Sequence, residues 1–301
     1  MRSVGIAAGL LALAGAAAYA QAAPPSTDIY LVRLRVSPQV AIDDPPRNVT
    51  NRPGYDNQPA FTPDSKAILF TSIHEDGQAD TYRLDIASGA ITRLTRTPES
   101  EYSPTPLPNG QGFSVVRVEA DSTQRLWAFN SAGRSPVLLF ADIKPVGYHL
   151  WLDDHAAALY VLGAPNTLLV ADARTGESHP VSHDVGRALQ LVPGSTRVSY
   201  LHRDGRTWYL ETVDPAARSD SGDAGTRIAP MPPAAEYIVW VSPTIVLTAA
   251  GTTIYKLDAS TPQAGWTPVA DFREEGVRNL SRLAISPDHA WLAVVGEPAS
   301  R

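Results

Sequence analysis

Short runs of alternating apolar and polar residues recur along the chain, and a turn signal joins each pair of runs. Residues 57–72 read NQPAFTPDSKAILFTS, in which Pro63-Asp64 separates two such runs. Alternation with a period of two residues is typical of strands, and no long 3.6-residue periodicity competes with it. Pro presets φ for a turn. The pattern therefore predicts an all-β protein built from hairpins.

The first hairpin turn recurs at a nearly constant spacing, with steps of 45, 45, 40, 50 and 44 residues. The turns fall at Pro63, Pro108, Asp153, Pro193, Pro243 and Pro287. A third and a fourth run complete each unit, as at 81–86 and 90–95. Four short strands per roughly 40–45 residues are typical of a β-propeller blade. We therefore expect a six-bladed propeller of four-stranded blades over 28–297.

The longest step between turns contains residues 214–233, which are rich in Ser, Gly, Pro and Asp. Such composition is typical of a loop. We expect 214–233 to be a surface loop inserted in the fourth unit.

The two ends of the chain each hold half of one unit. Residues 279–297 supply only the first two runs, whereas DIYLVRL at 28–34 and the segment ending at 47–50 resemble a third and a fourth. We expect strands from both termini to close the ring in one blade. Closure would remove open sheet edges, which are a general hazard for β proteins.

The repeat resembles the WD40-like (PD40) repeat of the TolB-type β-propeller family. That repeat has the form P-x-[WF]-[ST]-P-D-G-x-x-I-x-F-x-S, followed by Ile-Tyr-x-x-Asp, Gly and Leu-Thr. The first unit matches at Pro59, Phe61, Pro63, Asp64, Ile68, Phe70, Ser72, Tyr82, Asp85, Gly89, Leu94 and Thr95. Ser65 and His289 stand where the family favours Gly, and units three to five are degenerate. The resemblance implies the fold more specifically than any one function.

Relatives of this type carry further domains that we do not expect here. TolB itself has an α/β domain before its propeller, and prolyl oligopeptidase-type peptidases fuse a hydrolase domain to theirs. No G-x-S-x-G nucleophile elbow occurs in the sequence.

The N-terminal residues have the pattern of a secretory signal peptide. An apolar stretch over 4–18 follows Arg2, and small-residue sites follow at 18–20 and 20–22. The stretch is shorter than the ~20 residues of a spanning helix, which favours cleavage over a membrane anchor. We predict a signal peptide over 1–22 and a periplasmic or secreted protein. The chain has no Cys, so its core must stabilise it without disulfides.

Charge and hydropathy exclude some classes of partner. The formal net charge is −6, whereas nucleic-acid binding favours a basic face. No later segment is long and apolar enough to cross a bilayer. We expect no nucleic acid, no transmembrane segment and a monomer.

Propellers bind at the mouth of the central channel, where the chain enters each innermost strand. These entry segments include Tyr55-Asp56-Asn57 and Tyr148-His149. Tyr suits recognition because it offers apolar area and a hydroxyl. The alternative is a solvated rim with hydrogen bonds between blades, and in the resembled family Asp56-type residues often link blades. The candidate binding residues are Asp56, Asn57, Glu101, Tyr102, His149, Arg187, Glu236, Tyr237 and Arg282.

We expect no resident metal or cofactor. His179 and His183 are four residues apart, but Pro180 lies between them and the segment resembles strand and loop, so they share no helix face. Ca²⁺ bound by Asp56, Glu101 or Glu236 is the alternative, because hard cations prefer oxygen ligands.

The sequence favours a non-enzymatic, exported scaffold that binds a protein or peptide partner of the cell envelope at its channel mouth. The alternative is a carbohydrate-active lyase or hydrolase with its site in the channel. His149, which replaces the Pro found at this position in the first unit, would be its first candidate. A purely structural role in the envelope is a third hypothesis.

Overall fold

A computed structural model describes residues 25–37, 39–74, 76–218 and 224–299 of the 301-residue chain. The predicted signal peptide over 1–22 lies outside the described residues. So do residues 219–223, in the middle of the predicted loop insertion.

The described chain folds into six antiparallel sheets arranged as a β-propeller. The N-terminal part contributes β1 (Asp28–Arg35), β2 (Ala41–Ile42) and β3 (Arg47–Asn48). The first blade then holds β4 (Tyr55–Phe61), β5 (Ala67–Ile73), β6 (Ala79–Asp85) and β7 (Ile91–Arg93). The second holds β8 (Ser100–Pro106), β9 (Gly112–Val118), β10 (Gln124–Asn130) and β11 (Val137–Leu138).

The next three blades repeat the four-stranded plan. The third holds β12 (Val146–Trp151), β13 (Ala156–Val161), β14 (Thr167–Asp172) and β15 (Ser178–His183). The fourth holds β16 (Val185–Leu191), β17 (Val198–Asp204), β18 (Thr207–Val213) and β19 (Thr226–Pro230). The fifth holds β20 (Ile238–Trp240), β21 (Ile245–Ala250), β22 (Thr253–Asp258) and β23 (Thr267–Asp271), with a 3-10 turn at Pro262–Ala264.

The sixth blade joins the two ends of the chain, as the sequence predicted. Its inner strands are β25 (Leu283–Ile285) and β26 (Trp291–Pro298), and β24 (Val277–Arg278) pairs with the far end of β26. β26 pairs with β1 from Gly296↔Asp28 to Trp291↔Arg33. β2 and β3 both pair with β1, so the fourth strand of this blade is split in two.

Strand β19 lies inside the segment expected to be an inserted loop. Thr226–Pro230 pairs with β18 and forms the outer strand of the fourth blade. A loop was expected over 214–233 because the short alternating run of this strand is surrounded by residues that are typical of turns.

The hydrophobic core lies between neighbouring blades. One cluster joins Ile29 and Leu31 of the sixth blade to Ile68 and Phe70 of the first. Two buried tryptophans add polar links, since Trp151 Nε1 donates to Ser114 Oγ at 2.9 Å and Trp240 Nε1 donates to Ser199 Oγ at 2.8 Å. Each Trp lies on an innermost strand and each Ser lies on the preceding blade, so these hydrogen bonds link adjacent blades.

We predict that Leu292→Ala destabilises the protein strongly. Leu292 is fully buried in the closing blade, and truncating a buried Leu typically costs about 2–5 kcal/mol. Urea unfolding would measure the loss. Ile91→Ala is the control, because Ile91 is 41% exposed and a surface change usually stays within about 0.5 kcal/mol. Equal effects of the two substitutions would show that this blade does not carry the ring's stability.

Candidate functional site

Irregularities in the innermost strands shape the central channel. The pairing of β4 with β5 shifts between Asn57 and Ala60, and that of β8 with β9 shifts between Tyr102 and Thr105. β12 and β16 show comparable shifts. Such bulges re-aim side chains and are common beside functional sites. The first four innermost strands are therefore all bent where they line the channel.

The first two bulges are tied to each other. Gln58 and Ser103 both have positive φ, at 59° and 54°. The Ser103 amide donates to Gln58 Oε1 at 2.7 Å across the blade boundary. This bond fixes Gln58 at the wall of the channel.

A cavity of about 680 Å³ opens at the end where the chain enters the innermost strands. None of the described residues that line it is acidic. A smaller cavity of about 130 Å³ lies further along the channel, and Gln58, Tyr148, Arg187 and Arg282 border both. The polar lining of the larger cavity comes from Tyr55, Gln58, Tyr102, Ser122, Gln124, Tyr148, Tyr160, Arg187 and Arg282.

Arg282 is held between two tyrosine rings. Its guanidinium carbon lies 4.4 Å from the ring centroid of Tyr237 and 5.0 Å from that of Tyr148. Its Nη2 donates to the Tyr148 hydroxyl at 2.6 Å. Ring faces attract cations, so these two contacts and the hydrogen bond together fix the position of this guanidinium.

Arg187 brings a second guanidinium to the same place. It borders both cavities together with Arg282, and its Nε lies 4.0 Å from Glu236 Oε2. The Glu236 side chain is 61% exposed, so water screens this ion pair. Two cations therefore meet among tyrosines, with one loosely held carboxylate at the edge.

The Arg–Tyr cluster, which consists of Arg187, Arg282, Tyr148 and Tyr237, shifts the ionisation of its own members. Burial opposes the charge of Arg282, but Tyr148 and Tyr237 outweigh it and raise the Arg282 pKa. Burial likewise opposes ionisation of Tyr148, but Arg282 and Arg187 lower the pKa of this phenol. Burial raises the pKa of Tyr237, and it raises the pKa of Tyr55, on the nearby first blade, to about 12. Tyr148 is therefore the tyrosine of this cluster in which ionisation is favoured.

Gly147 makes room for the wall of the cavity. A Cβ at this position would lie 2.8 Å from Cδ1 of Tyr160, which is closer than real Cβ contacts. The absent side chain lets the Tyr160 ring pack against the backbone beside Tyr148.

The structure brings five of the sequence-predicted residues to the two cavities around the Arg–Tyr cluster, one of which is His149 in the wall of the smaller cavity. Tyr102 lines the large cavity, Tyr237 lines the small one, and Arg187 and Arg282 border both. Glu236 lies at the edge, in a side pocket that Arg187 also lines.

Asp56, Asn57 and Glu101 are buried at blade junctions instead of at the open mouth. Asp56 accepts a hydrogen bond from Arg52 Nη2, and Asn57 donates to Thr27 Oγ1 at 3.3 Å. Glu101 accepts a hydrogen bond from Thr97 Oγ1. These bonds hold the side chains within the fold, although Oδ2 of Asp56 and Oε2 of Glu101 have no hydrogen-bond partner among the described residues.

The same polar device repeats at two junctions. Thr50 Oγ1 accepts from the Ile29 amide at 3.0 Å and lies 3.4 Å from Asp28. Thr95 Oγ1 accepts from the Thr81 amide at 2.9 Å and lies 3.4 Å from Asp80. Asp56 and Glu101 follow these threonines at the start of the next blade. We assign these threonines and the carboxylates that follow them a structural role in linking blades.

His149 is buried and lines the smaller cavity. Its Nε2 lies 2.7 Å from Ser114 Oγ, and its Nδ1 has no hydrogen-bond partner among the described residues. Burial lowers the pKa of His149 to about 3, so the imidazole is neutral at physiological pH.

Part of the cavity wall was missed in the sequence. Ser122 comes from the connection between β9 and β10, Gln124 is the first residue of β10, and Tyr160 comes from β13. Only segments that enter innermost strands were expected to line the channel, whereas these residues lie elsewhere in their repeats. The spacing of second-to-third-strand connections was the signal that could have found them.

The described part of the chain lacks both a candidate metal-binding group and a candidate membrane-spanning helix. It contains no group of three or more His, Asp or Glu residues placed to hold a metal ion. It also contains no helix that could span a membrane.

The fold is shared with several solved structures. A putative TolB from Agrobacterium tumefaciens superposes with a TM-score of 0.68 at 15% identity, over 91% of this chain and 99% of that one. A gluconolactonase from Xanthomonas campestris gives 0.64 at 9% identity, over 93% and 99%. An oligogalacturonate lyase in complex with manganese gives 0.53 at 15% identity, over 90% and 73%. No family model matches the chain. At these identities the likeness shows the fold alone.

We predict that Glu101→Gln stabilises the protein at neutral pH and above. Burial raises the pKa of Glu101 from its usual value near 4.5 to about 7. The folded state therefore holds a proton that unfolding releases, so this group's stabilisation is present below pH 4.5 and lost as pH rises through 7. The loss at high pH is on the order of 3 kcal/mol. Gln lacks this titration and can still accept from Thr97.

Urea unfolding at pH 5 and pH 8 would measure this effect. The gain from Glu101→Gln should be larger at pH 8, whereas Glu177→Gln, at an exposed position, should show no such difference. A gain that is equal at both pH values would mean that Glu101 is already ionised in the folded protein at pH 5.

Proposed function

We propose that this protein is an exported, non-enzymatic propeller of the TolB type that binds a protein or peptide partner at its channel mouth. It acts as a monomeric, envelope-associated scaffold in the periplasm or outside the cell. The Arg–Tyr cluster at the inner end of the 680 Å³ cavity carries the proposal.

The chemistry of the cavity suits a peptide. Tyrosines supply rigid apolar faces and hydroxyls at low entropy cost, and Arg and Tyr are enriched among residues that dominate binding energy. A volume of 680 Å³ lies within the usual range for a binding pocket. Gln58 and Gln124 add amide groups that can pair with a peptide backbone.

The fold comparison supports the same class of function. The putative TolB from Agrobacterium tumefaciens covers nearly the same length, and the repeat of this chain resembles the WD40-like repeat of TolB-type propellers. The buried imidazole of His149 is neutral and already lies within hydrogen-bond distance of Ser114 Oγ. The geometry favours binding over acid–base chemistry at that residue.

We predict that a photo-cross-linking residue at Gln124 captures a partner from envelope extract. Gln124→p-benzoylphenylalanine places the reactive ring at the cavity wall. Irradiation and mass spectrometry should give one dominant adduct. The matched control is Asn109→p-benzoylphenylalanine, in the exposed turn between β8 and β9 at the opposite end of the channel, which should give none.

Adducts from Asn109 but not from Gln124 would move the binding surface to the other face of the ring. If neither position gives an adduct, the result would contradict a protein or peptide partner.

The alternative function is a carbohydrate-active lyase or hydrolase with its site in the channel. Tyr148 favours it, because two guanidiniums lower the pKa of this phenol, as a general base requires. The lactonase and lyase folds among the comparisons are consistent with it.

We predict no turnover of oligogalacturonate or gluconolactone by the purified protein, with or without Mn²⁺. Ultraviolet absorbance of unsaturated products and titration of released acid would detect the two reactions. Turnover that falls at least 100-fold in Tyr148→Phe or His149→Gln would establish the enzyme and overturn the scaffold.

A further inference from the structure

We propose that Arg187 and Arg282 form a carboxylate site that anchors an acidic end or side chain of the peptide bound at the mouth. The inference rests on the proposed function and adds the chemistry by which the ligand is recognised.

The charges around the cluster are out of balance. Several other partly buried arginines have close acidic partners, as in Arg52–Asp56, Arg93–Asp80 and Arg117–Glu99. Arg282 has no carboxylate within 4 Å among the described residues, and Arg187 has only the exposed Glu236. Charged groups withdrawn from water are normally paired. The cluster therefore holds positive charge for which the fold supplies no close counter-charge.

This imbalance stands out because the protein as a whole is acidic. The chain carries 31 acidic and 25 basic residues, yet no acidic residue among those described lines the 680 Å³ cavity. A positive cavity in a negative protein selects anionic groups and rejects cationic ones.

The geometry favours a planar carboxylate. A guanidinium has five N–H donors in a rigid fork, and one hydrogen bond of the Arg282 side chain, to Tyr148, is accounted for within the described chain. The Tyr148 hydroxyl takes one donor of Nη2, which leaves the rest of the guanidinium edge for in-plane donation. Two parallel N–H···O bonds to a carboxylate use that edge.

The rest of the cavity suits a peptide segment that leads to the carboxylate. Val116, Val118 and Leu162 line an apolar part of the same cavity. Tyr55 and Tyr102 add apolar faces with hydroxyls. We therefore assign the bound segment as the carboxylate-bearing end of a short stretch with apolar neighbours.

Titration with four defined ligands tests the site. N-acetyl-tetra-alanine with a free carboxylate is compared with its C-terminal amide, with N-acetyl-Ala-Glu-Ala-Ala-amide, and with inorganic phosphate. The readouts are calorimetry and the NMR signals of arginine Nε–Hε groups. At least one carboxylate peptide should bind tenfold or more tightly than the neutral amide and shift the signals of both arginines.

The two carboxylate peptides separate the two sources of the group. Tighter binding of the free acid assigns the chain end, and tighter binding of the Glu-containing amide assigns an acidic side chain. Either result supports the site. Equal binding of acid and neutral amide overturns it, as does phosphate that binds as tightly as the better peptide.

Substitutions locate the effect. Arg282→Gln should remove the preference for acid over amide, and Arg282→Lys should restore part of it because charge returns without the fork. Arg187→Gln, at a side chain that is 47% exposed, tests the same preference if Arg282 proves necessary for folding. Arg33→Gln is the matched control, since Arg33 also stacks on a ring, that of Trp291 at 4.3 Å, but outside the channel.

The outcome separates this inference from the function on which it rests. If no carboxylate peptide binds selectively while the Gln124 cross-link persists, the carboxylate site is wrong and partner binding at the mouth stands. Loss of both signals overturns both.

Discussion

The antiparallel pairing of β1 with β26 is the constraint on which the rest of the molecule depends. It completes a sheet that neither terminus can form alone and removes the edge that an open ring would expose. It also fixes the segment before β25 and so places Arg282 against Tyr148, 134 residues earlier in the chain. The cluster in the channel is therefore a product of closure, since its members lie on the third, fourth, fifth and sixth blades.

Two kinds of polar link hold the blades in the ring. The junctions on either side of the first blade use a threonine and an aspartate, Thr50 with Asp28 and Thr95 with Asp80. The second-to-third and fourth-to-fifth junctions use Trp151 and Trp240 bonded to serines. The links through an aspartate occur beside the first and sixth units, in which the repeat pattern is clearest. The links through a buried Trp indole occur at the third and fifth units, in which the repeat pattern is degenerate. Both solutions satisfy polar atoms that burial would otherwise leave unpaired.

Turn spacing and period-two alternation were enough to predict the blades and their closure, because both patterns are local and repeat six times. They also placed Arg187, Tyr237 and Arg282 at the channel. Side-chain direction beyond that could not be predicted, because a bulge reverses the inside–outside alternation of a strand. Gln58 and Ser103 adopt positive φ without being glycine, so no residue type marks these bulges. Asp56 and Glu101 were expected at the mouth but lie between blades. Both precede the bulges and adjoin Tyr55 and Tyr102, which line the cavity, so strand alternation turns their side chains away from it.

Tyr148 takes part in both functional hypotheses, and the state of its phenol that favours one hypothesis disfavours the other. Its phenol ionises more readily than usual because Arg282 and Arg187 face it. A carboxylate bound to those guanidiniums would compete for the same donors and add negative charge beside the phenol. Both effects raise the pKa of Tyr148 and make it a poorer base. The site can hold an acidic ligand or activate Tyr148 for proton abstraction, but each use weakens the other. Because the fold supplies no close counter-charge for Arg282, the electrostatics favour the bound ligand.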